Sequence, residues 1–94
     1  MHRVYMYYIL REYWMCQFLE EDLKTPLPGR LHFRSADKVR AIVDKVGNFA
    51  NLQDRQALDY GLGIGRGGVW LQLTDEQYLR LKQQGNCAQD RARS

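Results

Sequence analysis

Cysteine, histidine and proline are scarce in this chain, two of each in 94 residues. Cys16 and Cys87 are too few for a disulfide framework and lack the C-x-x-C spacing of a redox or zinc motif. Cys16 lies in an apolar run and reads as a small buried hydrophobe, while Cys87, in a polar stretch, reads as a free thiol. With His2 and His32 the cysteines do not reach the ligand spacing of a structural or catalytic zinc site, so no metal is expected. Long apolar runs are also missing. The longest, Val4 to Leu10, ends at Arg11-Glu12, too short for a transmembrane helix. No small-residue cleavage site follows it, so a secretory signal is not expected and the cytoplasm is the expected location.

One-sided charge is absent from most of the chain. The net +3 sits entirely in the last fifteen residues, where Arg80, Lys82, Arg91 and Arg93 stand against Asp90 alone; the remainder sums to zero. A basic end of this kind gives weak, salt-sensitive attraction to any polyanion. Hydrophobic residues make up 45% and charged residues 27%, ordinary globular values that argue against disorder.

What is present in quantity is local patterning. In Val69-Trp70-Leu71-Gln72-Leu73 apolar and polar residues alternate, which predicts a strand with Val69, Leu71 and Leu73 on one face. Thr74 then caps a helix, with Gln77 completing a capping box and Leu73 and Tyr78 placed for a hydrophobic staple. Asp75 and Glu76 suit the positive end of that helix, which is expected to close at Gly85. Val4–Leu10 is rich in β-favouring residues and unalternating, predicting a central strand or one covered on both faces. Residues 13–20 alternate as a second strand; the rival reading of this N-terminal part is one long helix from Val4 to Leu23, and strands are preferred on propensity. The two prolines and Gly29 predict a loop over 20–29, and a short strand follows at 31–34. Ser35 caps a helix from Ala36 to about Val46, with Val39, Ile42, Val43 and Val46 as its apolar stripe and Gly47 as its end. Asn51 is placed to cap one short turn. Residues 58–64 read as a glycine-weakened strand, and residues 65–68 as a turn into the next strand.

Few residues assemble into a chemical motif. Gly63, Gly65 and Gly68 match G-x-G-x-x-G in spacing, but a dinucleotide site needs a helix N-terminus straight after the glycines, and here a strand follows. Arg66, flanked by glycines, has an unobstructed guanidinium able to reach a phosphate or carboxylate. His32 and Cys16 are the one conceivable base–nucleophile pair, with no third member and no oxyanion donors. Glu20-Glu21-Asp22 reads as a solvated acidic cluster. The most unusual feature is the crowd of rings at the start: Tyr5, Tyr7, Tyr8, Tyr13 and Trp14. Beyond core packing, such rings suit a protein interface, a base-stacking platform or an apolar pocket.

The expectation from sequence is an α+β fold, an antiparallel sheet of four to five strands with two helices packed on one face. It occupies residues 1–85 as a single unit with a flexible polar tail over 86–94. The functional expectation is a non-enzymatic binding module, with no cofactor, forming a homodimer through its aromatic strands. It would hold a protein or small molecule with Tyr5, Tyr7, Tyr8, Tyr13, Trp14, Arg66 and Gly67. The alternative is nucleic-acid binding through Arg66, Arg80, Lys82, Arg91 and Arg93.

Overall fold

A computed structural model describes the backbone of residues 1–92 and the side chains of residues 1–83. One antiparallel sheet contains β1 (His2–Leu10), β2 (Trp14–Leu19), β3 (Pro26–Phe33), β4 (Asn48–Phe49) and β5 (Arg66–Leu73), in the order β3-β2-β1-β5-β4. Helices α1 (Ala36–Val46), α2 (Leu52–Ile64) and α3 (Asp75–Ala92) pack on the sheet, completing an α+β architecture with one helix more than expected.

The two-residue period of a strand sorts the apolar residues. Val4, Met6 and Tyr8 of β1, Trp14, Cys16 and Phe18 of β2, and Val69, Leu71 and Leu73 of β5 point to one face and are buried. They form a single cluster with Val39 and Val43 of α1, Leu58 and Leu62 of α2, and Leu81 of α3. Each large side chain buried there contributes roughly 1.5–3 kcal/mol. On the opposite face no side chain is buried. β1 is thus central in the sheet but covered on one face only.

Three elements differ from the sequence reading. β3 begins at Pro26, inside the expected loop. It is an edge strand, where a missing proline N–H removes no ladder bond, and its register shifts opposite Gln17–Leu19. Residues 58–64 belong to α2, not to a strand. Leu58, Gly61 and Leu62 share the buried side of that helix, a helical spacing that two glycines obscured. The helix ends at Gly65, whose left-handed φ of 94° suits glycine and whose N–H returns to the Gly61 carbonyl. Third, α3 continues through Gly85 to Ala92, since an interior glycine costs a helix only about 1 kcal/mol.

Local signals elsewhere match their geometry. Ser35 caps α1 by accepting from the Lys38 N–H. Gly47 ends it in extended backbone, where a Cβ would sit 2.7 Å from the Gln72 carbonyl; close approach, not a left-handed φ, requires glycine there. Thr74 Oγ1 accepts from the Gln77 N–H at 3.1 Å, and Gln77 Oε1 accepts from the Thr74 N–H at 2.9 Å, a reciprocal capping box.

Candidate functional site

The uncovered sheet face carries the residues best placed for function. Strand registry builds it. Tyr5 stands opposite Leu19 and Trp70, Tyr7 opposite Gln17 and Gly68, Ile9 opposite Met15 and Arg66, and Arg3 opposite Gln72. On the β3 side, His32 pairs with Met15 and Arg30 with Gln17. Two open tyrosines, a tryptophan and three arginines therefore share one surface, and no aspartate or glutamate stands among the strand residues of that face.

The rings are held in place. Tyr5 meets Trp70 edge-on, with ring centroids 5.1 Å apart. The Arg3 guanidinium lies 4.6 Å from the Trp70 ring centre, a cation–π contact, and its nearest carboxylate is Glu21 at 3.9 Å in the β2–β3 turn. The Tyr5 hydroxyl lies against Gly68, in the space a Cβ would fill, so the ring leans from β1 across β5. Tyr7 is more exposed than Tyr5 and stands free beside it along β1. Arg30 is held by Gln17, its Nε donating to Oε1 at 3.4 Å, while Gln17 Nε2 donates to the Leu27 carbonyl.

Trp70 is anchored from behind. β4 covers only Gln72 and Leu71 of β5. Beyond it the Ala50 N–H donates to the Trp70 carbonyl, and the Trp70 N–H donates to Asp54 Oδ1 at 2.9 Å. The first turn of α2 thereby continues the ladder with a side chain.

The pleat divides the residues expected to act together. Tyr5, Tyr7 and Arg66 lie on the open face. Tyr8 and Trp14 do not: both are in the core, and Gly67 lies beneath Tyr8 on the covered side, so these three are not available to a ligand on the open face. Tyr13 sits in the β1–β2 turn under the Arg34 guanidinium. Cys16 and His32 fall on opposite faces of the sheet, and burial pushes the Cys16 thiol up to about 12, holding it protonated and unreactive.

The basic set divides as well. Arg66 is on the open face, whereas Arg80 and Lys82 belong to α3 on the covered side. There Arg80 pairs with Glu76, and Lys82 lies over the Tyr78 ring. Arg91 lies in the part of α3 whose side chains are not described, and Arg93 lies outside the described residues. The glycine motif resolves into the C-terminus of α2 followed by β5; a helix C-terminus presents carbonyl oxygens, which repel phosphate. Among the described residues no three His, Cys, Asp or Glu side chains gather to hold a metal ion, and no helix is long and apolar enough to cross a membrane.

Sequence reasoning singled out Tyr5, Tyr7 and Arg66 but passed over Trp70 and Arg30. The alternation of residues 69–73 already sets Trp70 on the face opposite Val69 and Leu71. Arg30 needs the pairing of β3 with β2, which no local pattern carries. Comparison with known proteins finds no matching family model, no similar curated protein and no similar solved structure.

Proposed function

We propose that this protein binds single-stranded nucleic acid on its open sheet face. The observation that supports it is the joining of Tyr5, Tyr7 and Trp70 with Arg3, Arg30 and Arg66 on one surface whose strand residues include no acid, Glu21 of the β2–β3 turn approaching Arg3 at its rim. Exposed rings on a sheet stack unpaired bases, at about 1–3 kcal/mol each, and arginines neutralise the phosphates between them. A duplex fits poorly. Neighbouring bases in a duplex strand are about 3.4 Å apart. The Cα atoms of Tyr5 and Tyr7 are about 6.6 Å apart on one strand face, and a duplex keeps its base faces stacked on one another and closed to such rings.

The competing reading is a homodimer through the same face, favoured by the half-exposed Ile9, Met15 and Leu19. A face-to-face pair buries three arginines from each copy, with Glu21 near Arg3 but no carboxylate paired with Arg30 or Arg66, and unpaired buried charge is costly. A polyanion supplies that counter-charge. The test is fluorescence anisotropy of labelled twelve-mers at several salt concentrations, beside light scattering of the free protein. Binding that weakens with salt and is lost in Tyr5→Leu and Tyr7→Leu supports the proposal. No binding, with a salt-resistant dimer, overturns it in favour of self-association.

A further inference from the structure

We infer that the strand lies along the β1–β5 ladder, and that the complete site is a tetranucleotide of single-stranded RNA whose two central bases lie between two arginine-bound phosphates. This rests on the nucleic-acid reading above and adds direction, length and chemistry to it. Along the open side of β1 the successive positions are Arg3, Tyr5, Tyr7 and Ile9, and Ile9 is paired with Arg66 of β5. The two rings therefore sit between two guanidiniums. At roughly 3.3 Å per residue the run from Arg3 to the Arg66 row is about 20 Å along the backbone, three repeats of the Cα spacing between Tyr5 and Tyr7.

Two bases stack on Tyr5 and Tyr7. Trp70 does not take a third, because Arg3 already lies over its ring; it steadies Tyr5 and Arg3 instead. The phosphates on the outer sides of the two bases fall to Arg3 and Arg66; a chain of n nucleotides has n−1 linkages, so four nucleotides are the shortest chain that uses both rings and both cations. Arg30 stands off this line, on β3, two strands away from β1 beyond Gln17, and is not needed by so short a ligand. The carboxamide of Gln72, beside Arg3, and the hydroxyl of Tyr7 supply groups that both donate and accept. They match a ribose 2′-hydroxyl, which deoxyribose lacks.

The experiment is a length series of oligouridylates, from two to six nucleotides and a twelve-mer, with the deoxyuridine tetramer beside them. Affinity should rise on the order of tenfold from three to four nucleotides, the scale of one added stacking or phosphate contact. From four to six it should rise only by the small factor that extra registers give. Arg3→Ala and Arg66→Ala should each lower the salt slope for the tetramer by about 0.7, more than Arg30→Ala does, and Arg55→Ala, at an exposed position of α2, should leave it unchanged. Both arginines are exposed, and circular dichroism of each variant checks its fold.

A tetramer that matches the hexamer, depends on both arginines and outbinds its deoxy counterpart supports the inference. Affinity still climbing steeply to six nucleotides, or dependence on Arg30 in place of Arg66, overturns the direction and length. Equal binding of the deoxy-tetramer overturns the assignment to RNA. A twelve-mer that does not bind at all overturns the nucleic-acid reading itself.

Discussion

The hydroxyl of Tyr5 rests against Gly68 on the open face, while the hydroxyl of Tyr8 rests against Gly67 on the covered one. Adjacent glycines of β5 thus seat two tyrosines of β1 on opposite sides of the sheet. The two substitutions should differ sharply. In Gly68→Ala the new methyl meets the far end of a half-exposed side chain, which can swing away. Stability should stay within about 1 kcal/mol of wild type, with Trp70 fluorescence altered and nucleic-acid affinity reduced. In Gly67→Ala the methyl meets a fully buried ring whose hydroxyl is also confined by Gly61. Overpacking of this kind costs about 1–3 kcal/mol, readable as a lower midpoint in urea. Equal effects of the two substitutions would sink the distinction between seat and core.

Those same glycines explain where the sequence was legible and where it was not. Contacts within a few residues left readable signatures: the alternation of Val69–Leu73, the Ser35 cap, and the Thr74–Gln77 box all predict what is found. Gly61 and Gly63 point away from a helix by local propensity, yet Gly61 is required because the Tyr8 hydroxyl occupies the place of its side chain. That requirement comes from a residue far away in the chain. The candidate site failed to show for a related reason. Tyr7 and Tyr8 are neighbours in sequence and stand on opposite faces, so a crowd of rings read as one cluster is two. The arginines that complete the open face come from β1, β3 and β5, and only strand order brings them together.

High pH should unfold the protein through its tyrosines. Burial pushes the Tyr8 phenol from 10.0 up to about 12. A hydrogen bond to Glu20 does the same for Tyr78, whose hydroxyl donates to that carboxylate at 2.6 Å. Between these values the unfolded chain has released protons that the folded chain still holds, so stability falls as pH rises. The contribution is complete below pH 10.0 and gone above about 12. Urea midpoints measured from pH 8 upward should drop across that window, and Tyr8→Phe and Tyr78→Phe should each flatten the drop. A flat profile in wild type would contradict both assignments.

The capping box at Thr74 fixes the angle at which α3 leaves β5. Thr74→Ala leaves the Gln77 N–H without its acceptor and should cost about 0.5–2 kcal/mol, whereas Thr74→Ser keeps the oxygen and should cost little. Thermal unfolding of the two variants separates the hydroxyl from mere loss of bulk. Because α3 packs on the covered side, neither change should alter binding on the open face at temperatures where the protein is folded.

Asp54 joins the two sides of the sheet. It is the one charged residue in the core of the described residues, its Oδ1 holds the Trp70 N–H, and its buried Oδ2 has no partner. A carboxylate kept in that position at a cost in desolvation argues that the Trp70 backbone needs an acceptor where β4 has run out. Asp54→Ala abandons that N–H and should cost about 1–3 kcal/mol. Asp54→Asn retains an acceptor oxygen and removes the buried charge, so its cost should be smaller. Trp70 carries Arg3 and braces Tyr5, so Asp54→Ala should also weaken nucleic-acid binding more than a comparable loss of stability made at Thr74. Urea unfolding and anisotropy on the same three variants compare the two effects. If Asp54→Asn fails as badly as Asp54→Ala in both, the negative charge at the head of α2, and not the bond to Trp70, is what the fold uses.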